Sequence, residues 1–188
     1  MSYDLYCYRA SSGVPDVAEA RALVEDMNAA EEAGDAKPTT GEVKERITTA
    51  LIQHNPRLER FQFDYKKIAE SQKISEDEAC SRYQYAELNP PEGDPAIQLV
   101  VYDDHVFITI PYWYRGSAAD QVFSQCSNYL RVIRRTAGFF AYDPQSDTAF
   151  DPDNTDLRDH QHYESVAKEI PKIAAEAVKG DKPWWKFW

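Results

Sequence analysis

The stretch "IQLVVYDDHVFITIPYWY" alternates on both sides of an acidic dipeptide. Folded at Asp103-Asp104 as a two-residue turn, it pairs Val101 with Val106, Val100 with Phe107, Leu99 with Ile108, Gln98 with Thr109 and Ile97 with Ile110. One face then carries Ile97, Leu99, Val101, Val106, Ile108 and Ile110, all aliphatic. The other carries Gln98, Val100, Tyr102, His105, Phe107 and Thr109, and continuing the strand adds Trp113. A slip of one residue would mix the two sets, so the pattern itself selects this register. Asp-Asp is weaker turn chemistry than Asn-Gly, which leaves a longer loop open.

Other segments supply partners for this hairpin. "SYDLYCYR" alternates as a strand with Tyr3, Leu5 and Cys7 on one side. "PDVAEARALVEDMNAAEEAG" reads as a helix: Asp16 and Glu19 make a capping-box start, Val17, Ala20, Val24 and Met27 form a stripe, and Gly34 ends it. Thr39 with Glu42 opens a second helix bearing Val43, Ile47, Ala50 and Leu51, closed by Pro56. "FQFDYKK" reads as a strand with Phe61, Phe63 and Tyr65 inward, followed by a capped turn from Ser75 to Glu78 and a strand in "RYQYAELN". A long helix follows, with Ser117 as cap, Asp120 in its first turn and Val122, Cys126, Tyr129 and Ile133 as its stripe. Arg131, Arg134 and Arg135 lie in its last turns and Gly138 lies beyond. "FFAY" and "TAF" are short strands. A last helix carries Tyr163, Val166, Ile170 and Ile173, with a kink or start expected at Pro171. The expectation is one α+β domain over residues 1–188: a mostly antiparallel sheet around a central hairpin, helices packed mainly on one face, and an aromatic tail at 180–188.

The net charge of −11 is unevenly spread. Residues 16–45 hold nine acidic side chains against Arg21, Lys37 and Lys44, and residues 143–164 hold seven against Arg158. Two acidic segments on a nearly neutral remainder exclude a nucleic-acid footprint, which must be basic. They suit a basic protein partner, or are simply solvated faces. No apolar run is long enough for a membrane span, and "MSYDLYCYR" lacks the basic-then-apolar order of a secretory leader. Cys7, Cys80 and Cys126 are odd in number and widely spaced, with no C-x-x-C. They read as reduced, buried thiols in a cytoplasmic protein.

Chemistry is sparsely signalled. No phosphate-cradling glycine loop, nucleophile elbow or H-E-x-x-H occurs, and no cofactor or metal is expected. "DPDNTDLRDHQH" gathers Asp151, Asp153, Asp156, His160 and His162. As a calcium loop it fails, since Asp156 stands where the turn glycine belongs and His162 where the bidentate glutamate belongs. Turn and cap formation is the plainer role for these residues. His105, beside Asp103 and Asp104, is a surface histidine or else a general base. A small metal-dependent hydrolase built on residues 103–105 or 151–162 is therefore the alternative reading.

The aromatic content points elsewhere. Tyr102, Phe107 and Trp113, with His105 alongside, lie opposite the aliphatic face, where a second helical layer covers them or a partner does. Asp151, Asp153 and Asp156 are candidate acidic contacts for the same partner. The tail "KPWWKFW" places Trp184, Trp185, Phe187 and Trp188 for packing on the sheet face bearing Phe107 and Trp113, or on a neighbouring chain in a homo-oligomer.

The segments "ELNPPEGDPAIQLVVYDDHVFITIPYWY" and "FFAYDPQSD", spanning roughly residues 82–147, resemble small bacterial proteins akin to the immunity proteins of polymorphic-toxin and type VI secretion systems. The motifs that carry the resemblance are a hairpin and a turn, with no catalytic residue among them. The resemblance implies a non-enzymatic protein that binds and blocks a cognate toxin.

Overall fold

The computed structural model describes residues 2–33 and 41–155, together with Tyr163, Ser165 and Val166. It is an α+β fold whose sheet is antiparallel throughout and has the order β2-β3-β4-β5-β1-β6-β7. The strands are β1 (Ser2–Tyr8), β2 (Glu59–Arg60), β3 (Ala86–Asn89), β4 (Gln98–Val101), β5 (His105–Pro111), β6 (Phe140–Asp143) and β7 (Thr148–Phe150). The helices are α1 (Val17–Ala33), α2 (Glu42–His54), α3 (Tyr65–Gln72), α4 (Glu76–Arg82) and α5 (Ser117–Ala137).

The central hairpin forms in the register that its alternation selects. Gln98, Leu99, Val100 and Val101 pair with Thr109, Ile108, Phe107 and Val106, and Tyr102 N–H donates to the His105 carbonyl across the Asp103-Asp104 turn at 2.9 Å. β1 lies along the other edge of β5, with Leu5 opposite Ile108 and Cys7 opposite Val106. The aliphatic face is closed to solvent: Leu99, Val101, Val106, Ile108 and Ile110 have no exposed surface. It packs under α2, through Ile47 and Leu51, and under α5, through Val122, Phe123, Cys126, Leu130 and Ile133. Each such side chain contributes roughly 1.5–3 kcal/mol by leaving water.

α5 ends as its sequence dictates. Gly138 takes the left-handed conformation (φ 75°) and returns its N–H to the Arg134 carbonyl at 2.8 Å. Its start differs from expectation, because Gly116 is the N-cap and Ser117 is the first helical residue, with no side-chain cap. In α1, Asp16 caps the Glu19 N–H at 3.0 Å, but the Glu19 carboxylate does not complete a capping box. It turns to the Ser11 N–H and hydroxyl, while Asp16 N–H is satisfied by the Tyr8 hydroxyl at 2.7 Å.

As expected, helices cover mainly the aliphatic face, with α2 and α5 packed there; α1 lies on the opposite side of the sheet, where Ala20, Val17, Leu23 and Val24 meet Tyr8, Phe140 and Tyr142. One further correction concerns position. "FQFDYKK" is not a strand with inward aromatics. β2 ends at Arg60, the last backbone bond to β3 runs from Phe61 N–H to the Glu87 carbonyl at 2.9 Å, Phe61 is 51% exposed, and Asp64 accepts from Lys67 N–H at 3.0 Å to start α3 at Tyr65. An Asx cap immediately before a run of helix formers prevailed over a period-two aromatic pattern. Ser75 caps α4 in the expected way, accepting from Glu78 N–H at 3.1 Å. The later part of the last helix, including Ile170, Pro171 and Ile173, lies outside the described residues, but Tyr163 is fully buried in the main core and Val166 packs against it.

Candidate functional site

The second sheet face divides along the strands. Towards the C-terminal end of β5 it is polar: Glu87 accepts from Gln98 and Asn89, each at 2.8 Å, with Asp4 and Thr109 beside them in register. Towards the Asp103-Asp104 turn it is aromatic. Tyr6 meets Phe107 at 5.0 Å between ring centroids, Tyr85 meets Tyr102 at 5.2 Å, and Tyr102 stacks on His105 at 4.2 Å.

This run of rings continues off the sheet. Phe63 lies 5.2 Å from Tyr85, 5.5 Å from Tyr83, 6.0 Å from Tyr65 and 5.1 Å from Phe61. The contacts with Phe61 and Tyr85 are edge-to-face, at 77° and 87°. The band thus runs from exposed Phe61 through half-buried Phe63, Tyr65, Tyr83, Tyr85 and Tyr102 to buried His105. The loop after β2 and the α3–α4 pair set its outer half, and the hairpin sets its inner half. Gln72 donates to the Tyr83 hydroxyl at 2.6 Å and holds that ring against α3.

The sequence singled out Tyr102 and Phe107 on this face but missed Phe61, Phe63, Tyr65, Tyr83 and Tyr85. The missed signal was "FQFDY" read against "YQY": two clusters of rings separated by two short capped helices, which bring them back together. Trp113 does not join them. β5 ends at Pro111, and Trp113 stands 67% exposed in the turn beyond, its ring tilted against Tyr114 at 6.0 Å between centroids. At about 3.3 Å per residue, the strand separates it from the Asp103-Asp104 turn by roughly 20 Å. The Trp113 turn is itself firmly held. The Tyr163 hydroxyl donates to the Pro111 carbonyl at 2.6 Å and accepts from Tyr114 N–H at 3.1 Å, while the Tyr114 hydroxyl accepts from Ala96 N–H at 2.6 Å.

His105 is a core residue rather than a surface one, at 6% exposure. Its Nδ1 lies 2.7 Å from Asp104 Oδ1, and its Nε2 is shut away from solvent with no hydrogen-bond partner. A general base must reach a substrate proton, which this nitrogen cannot do in the folded arrangement. Asp103 serves α2: its carboxylate accepts from Gly41 N–H at 2.6 Å and Lys44 N–H at 2.8 Å. Thr39, the expected cap, lies outside the described residues; among them, the acceptor for these first amides comes from the hairpin turn, 62 and 59 residues along the chain.

The acidic segments converge and are partly neutralised. Arg21 of α1 pairs with Asp147 of the β6–β7 turn, Arg134 grips Asp151 through two bonds of 2.9 and 3.1 Å, and Arg135 pairs with Asp153 at 2.9 Å. The arginines hold the Asp147 and Asp151 carboxyls below the usual carboxylate range. Asp151 also turns the chain, accepting from Asp153 N–H at 3.1 Å. Asp156, His160 and His162 lie outside the described residues, as do Trp184, Trp185, Phe187 and Trp188. Among the described residues, no three His, Cys, Asp or Glu side chains converge as metal ligands would.

The "YDPQSD" turn is structural. Buried Asp143 accepts from the Tyr3 hydroxyl, from Gln145 N–H at 2.9 Å and from the Ser146 hydroxyl at 2.9 Å. Burial, reinforced by this carboxylate, pushes the Tyr3 phenol far above its ordinary value. Cys7 and Cys126 are buried and Cys80 is half-buried, all three as free thiols, and burial raises the first two. Among the described residues no helix is long and apolar enough to cross a membrane. Comparison of the chain with protein-family models, with curated proteins and with solved structures finds no match.

Proposed function

We propose that this chain is a non-enzymatic protein-binding domain that acts in the cytoplasm and neutralises a cognate bacterial toxin by direct contact. The observation that carries this reading is the aromatic band. Large rings offer contact area at low entropic cost and dominate binding energy at interfaces. Here they are braced ring against ring, with Phe61 and Phe63 at the accessible end. The overall charge of −11 favours a basic partner and speeds its approach. Because Asp147, Asp151 and Asp153 are already paired with arginine, they add less to that attraction than their number suggests.

The test is co-expression and co-purification with the product of an adjacent toxin gene. The expected result is protection of the host and a stable complex, weakened about tenfold or more by Phe61→Ser or Phe63→Ser. Absence of protection by the unaltered chain rejects the reading, and full protection by both variants moves the interface off the band.

A further inference from the structure

The aromatic band has a candidate occupant within the chain itself. We propose that residues 182–188, "KPWWKFW", dock on the outer half of the band, on Phe61, Phe63, Tyr65 and Tyr83. This deepens the reading above, since it concerns the same surface, but it holds or fails without any toxin.

Three observations support the assignment. The first is chemical match. The segment brings four rings to a surface whose own rings already meet edge-to-face, a geometry that further aromatics extend. The second is charge. In a chain of net charge −11 this segment carries Lys182 and Lys186 and no acidic residue. The band is bordered by exposed Glu59, Asp64 and Asp104, while Arg60 between them is committed to Glu45 through bonds of 2.7 and 2.8 Å. Lys66 and Lys67 of α3, also exposed, follow Tyr65 and offset part of that charge. Lysines spaced between rings suit both the carboxylates and the ring faces.

The third is reach. Val166 packs on the core beside Tyr163, whose hydroxyl is fixed to the Pro111 carbonyl at the far end of β5. Lys182 lies sixteen positions along the chain from Val166. That stretch spans roughly 24 Å at helical rise and about 55 Å when extended, against a strand length of roughly 20 Å. The segment therefore reaches the aromatic end of the sheet.

The experiment compares the full chain with a full-length W184S/W185S/F187S/W188S variant by hydroxyl-radical footprinting. Labelling of Phe61, Phe63, Tyr65 and Tyr83 should rise severalfold in the variant, with Trp113 unchanged as an internal reference. Added synthetic KPWWKFW peptide should reverse the rise. Equal labelling in the two proteins overturns the proposal. Protection in the unaltered chain that grows with protein concentration also overturns it, because the occupant is then the segment of a second copy. A Phe61→Ser variant tests the contact from the other side. Its tryptophan emission should shift to longer wavelength as indoles are released, and an unshifted spectrum counts against docking even if the tail variant proves unstable. Failure of toxin binding would alter none of these readouts.

Discussion

The two faces of one sheet are built from alternate residues of the same strands and have opposite characters. On the first, Leu99, Val101, Val106, Ile108 and Ile110 lie in complete darkness beneath α2 and α5. On the second, Val100, Phe107, Tyr6, Tyr85 and Tyr102 are half-buried, and α1 covers the β1–β6–β7 end. The contrast separates two uses of apolar surface. Aliphatic side chains interdigitate with a helix layer and contribute stability. Rings with a polar atom, or with an accessible edge, tolerate partial wetting and remain available for contact.

Paired substitutions should expose this difference most strongly. Ile108→Ala leaves a hole between β5 and its helical cover and is expected to cost about 2–5 kcal/mol in urea denaturation. Phe61→Ser, on the band, is expected to cost less than about 1 kcal/mol, because the ring is already 51% exposed. Equal losses would mean that the band is core and not surface.

The next effect lies where the two faces meet, at the hairpin turn. Asp103 joins the turn to α2 by accepting from Gly41 and Lys44 N–H. Asp103→Ala should therefore cost about 1–2 kcal/mol, the usual range for a lost helix cap. Asp103→Asn, which keeps an acceptor, should lose less. Hydrogen exchange at the Gly41 and Lys44 amides should accelerate in the alanine variant. Unchanged exchange there would show that the carboxylate is not the cap.

These elements differ in how far they could be read in advance. The hairpin was fully legible, because Asp103-Asp104 is flanked by two strands whose aliphatic residues sort cleanly in one register only. α5 was legible for the same kind of reason: stripe, basic last turn and Gly138 all agree. The band was not. Phe61, Phe63 and Tyr65 alternate as strand residues do, and only the local competition at Asp64 shows that the chain turns into helix instead. The cap on α2 was invisible because its donor and acceptor are far apart in sequence. His105 was misplaced because a residue flanking a tight turn is usually wet, whereas here Tyr102 stacks over it. Local agreement was readable and non-local satisfaction was not.

The smallest expected effect concerns the polar end of the second face. Asp4 lies there opposite Thr109, with Oδ1 shut away from solvent and without a hydrogen-bond partner. Burial raises its carboxyl above the ordinary value, and hydrogen bonds from Ser2 and Thr109 only partly counter it. A carboxyl raised by folding binds its proton more readily in the folded state than in the unfolded one. Its charge therefore costs stability above the folded pKa, and that cost fades as the pH falls from there to the ordinary carboxylate value, below which it is gone. Asp147 and Asp151, lowered by their arginines, behave in the opposite sense and lose stabilisation only as the pH falls below the ordinary carboxylate value. Asp4→Asn should accordingly raise the melting temperature at neutral pH, by an amount worth less than about 1 kcal/mol. The gain should vanish near about pH 3, where Asp4 itself is neutral. Melting curves of both proteins at the two pH values decide the matter: a gain that persists in acid would come from packing and not from charge, and a loss at neutral pH would mean that the buried oxygen has a donor after all.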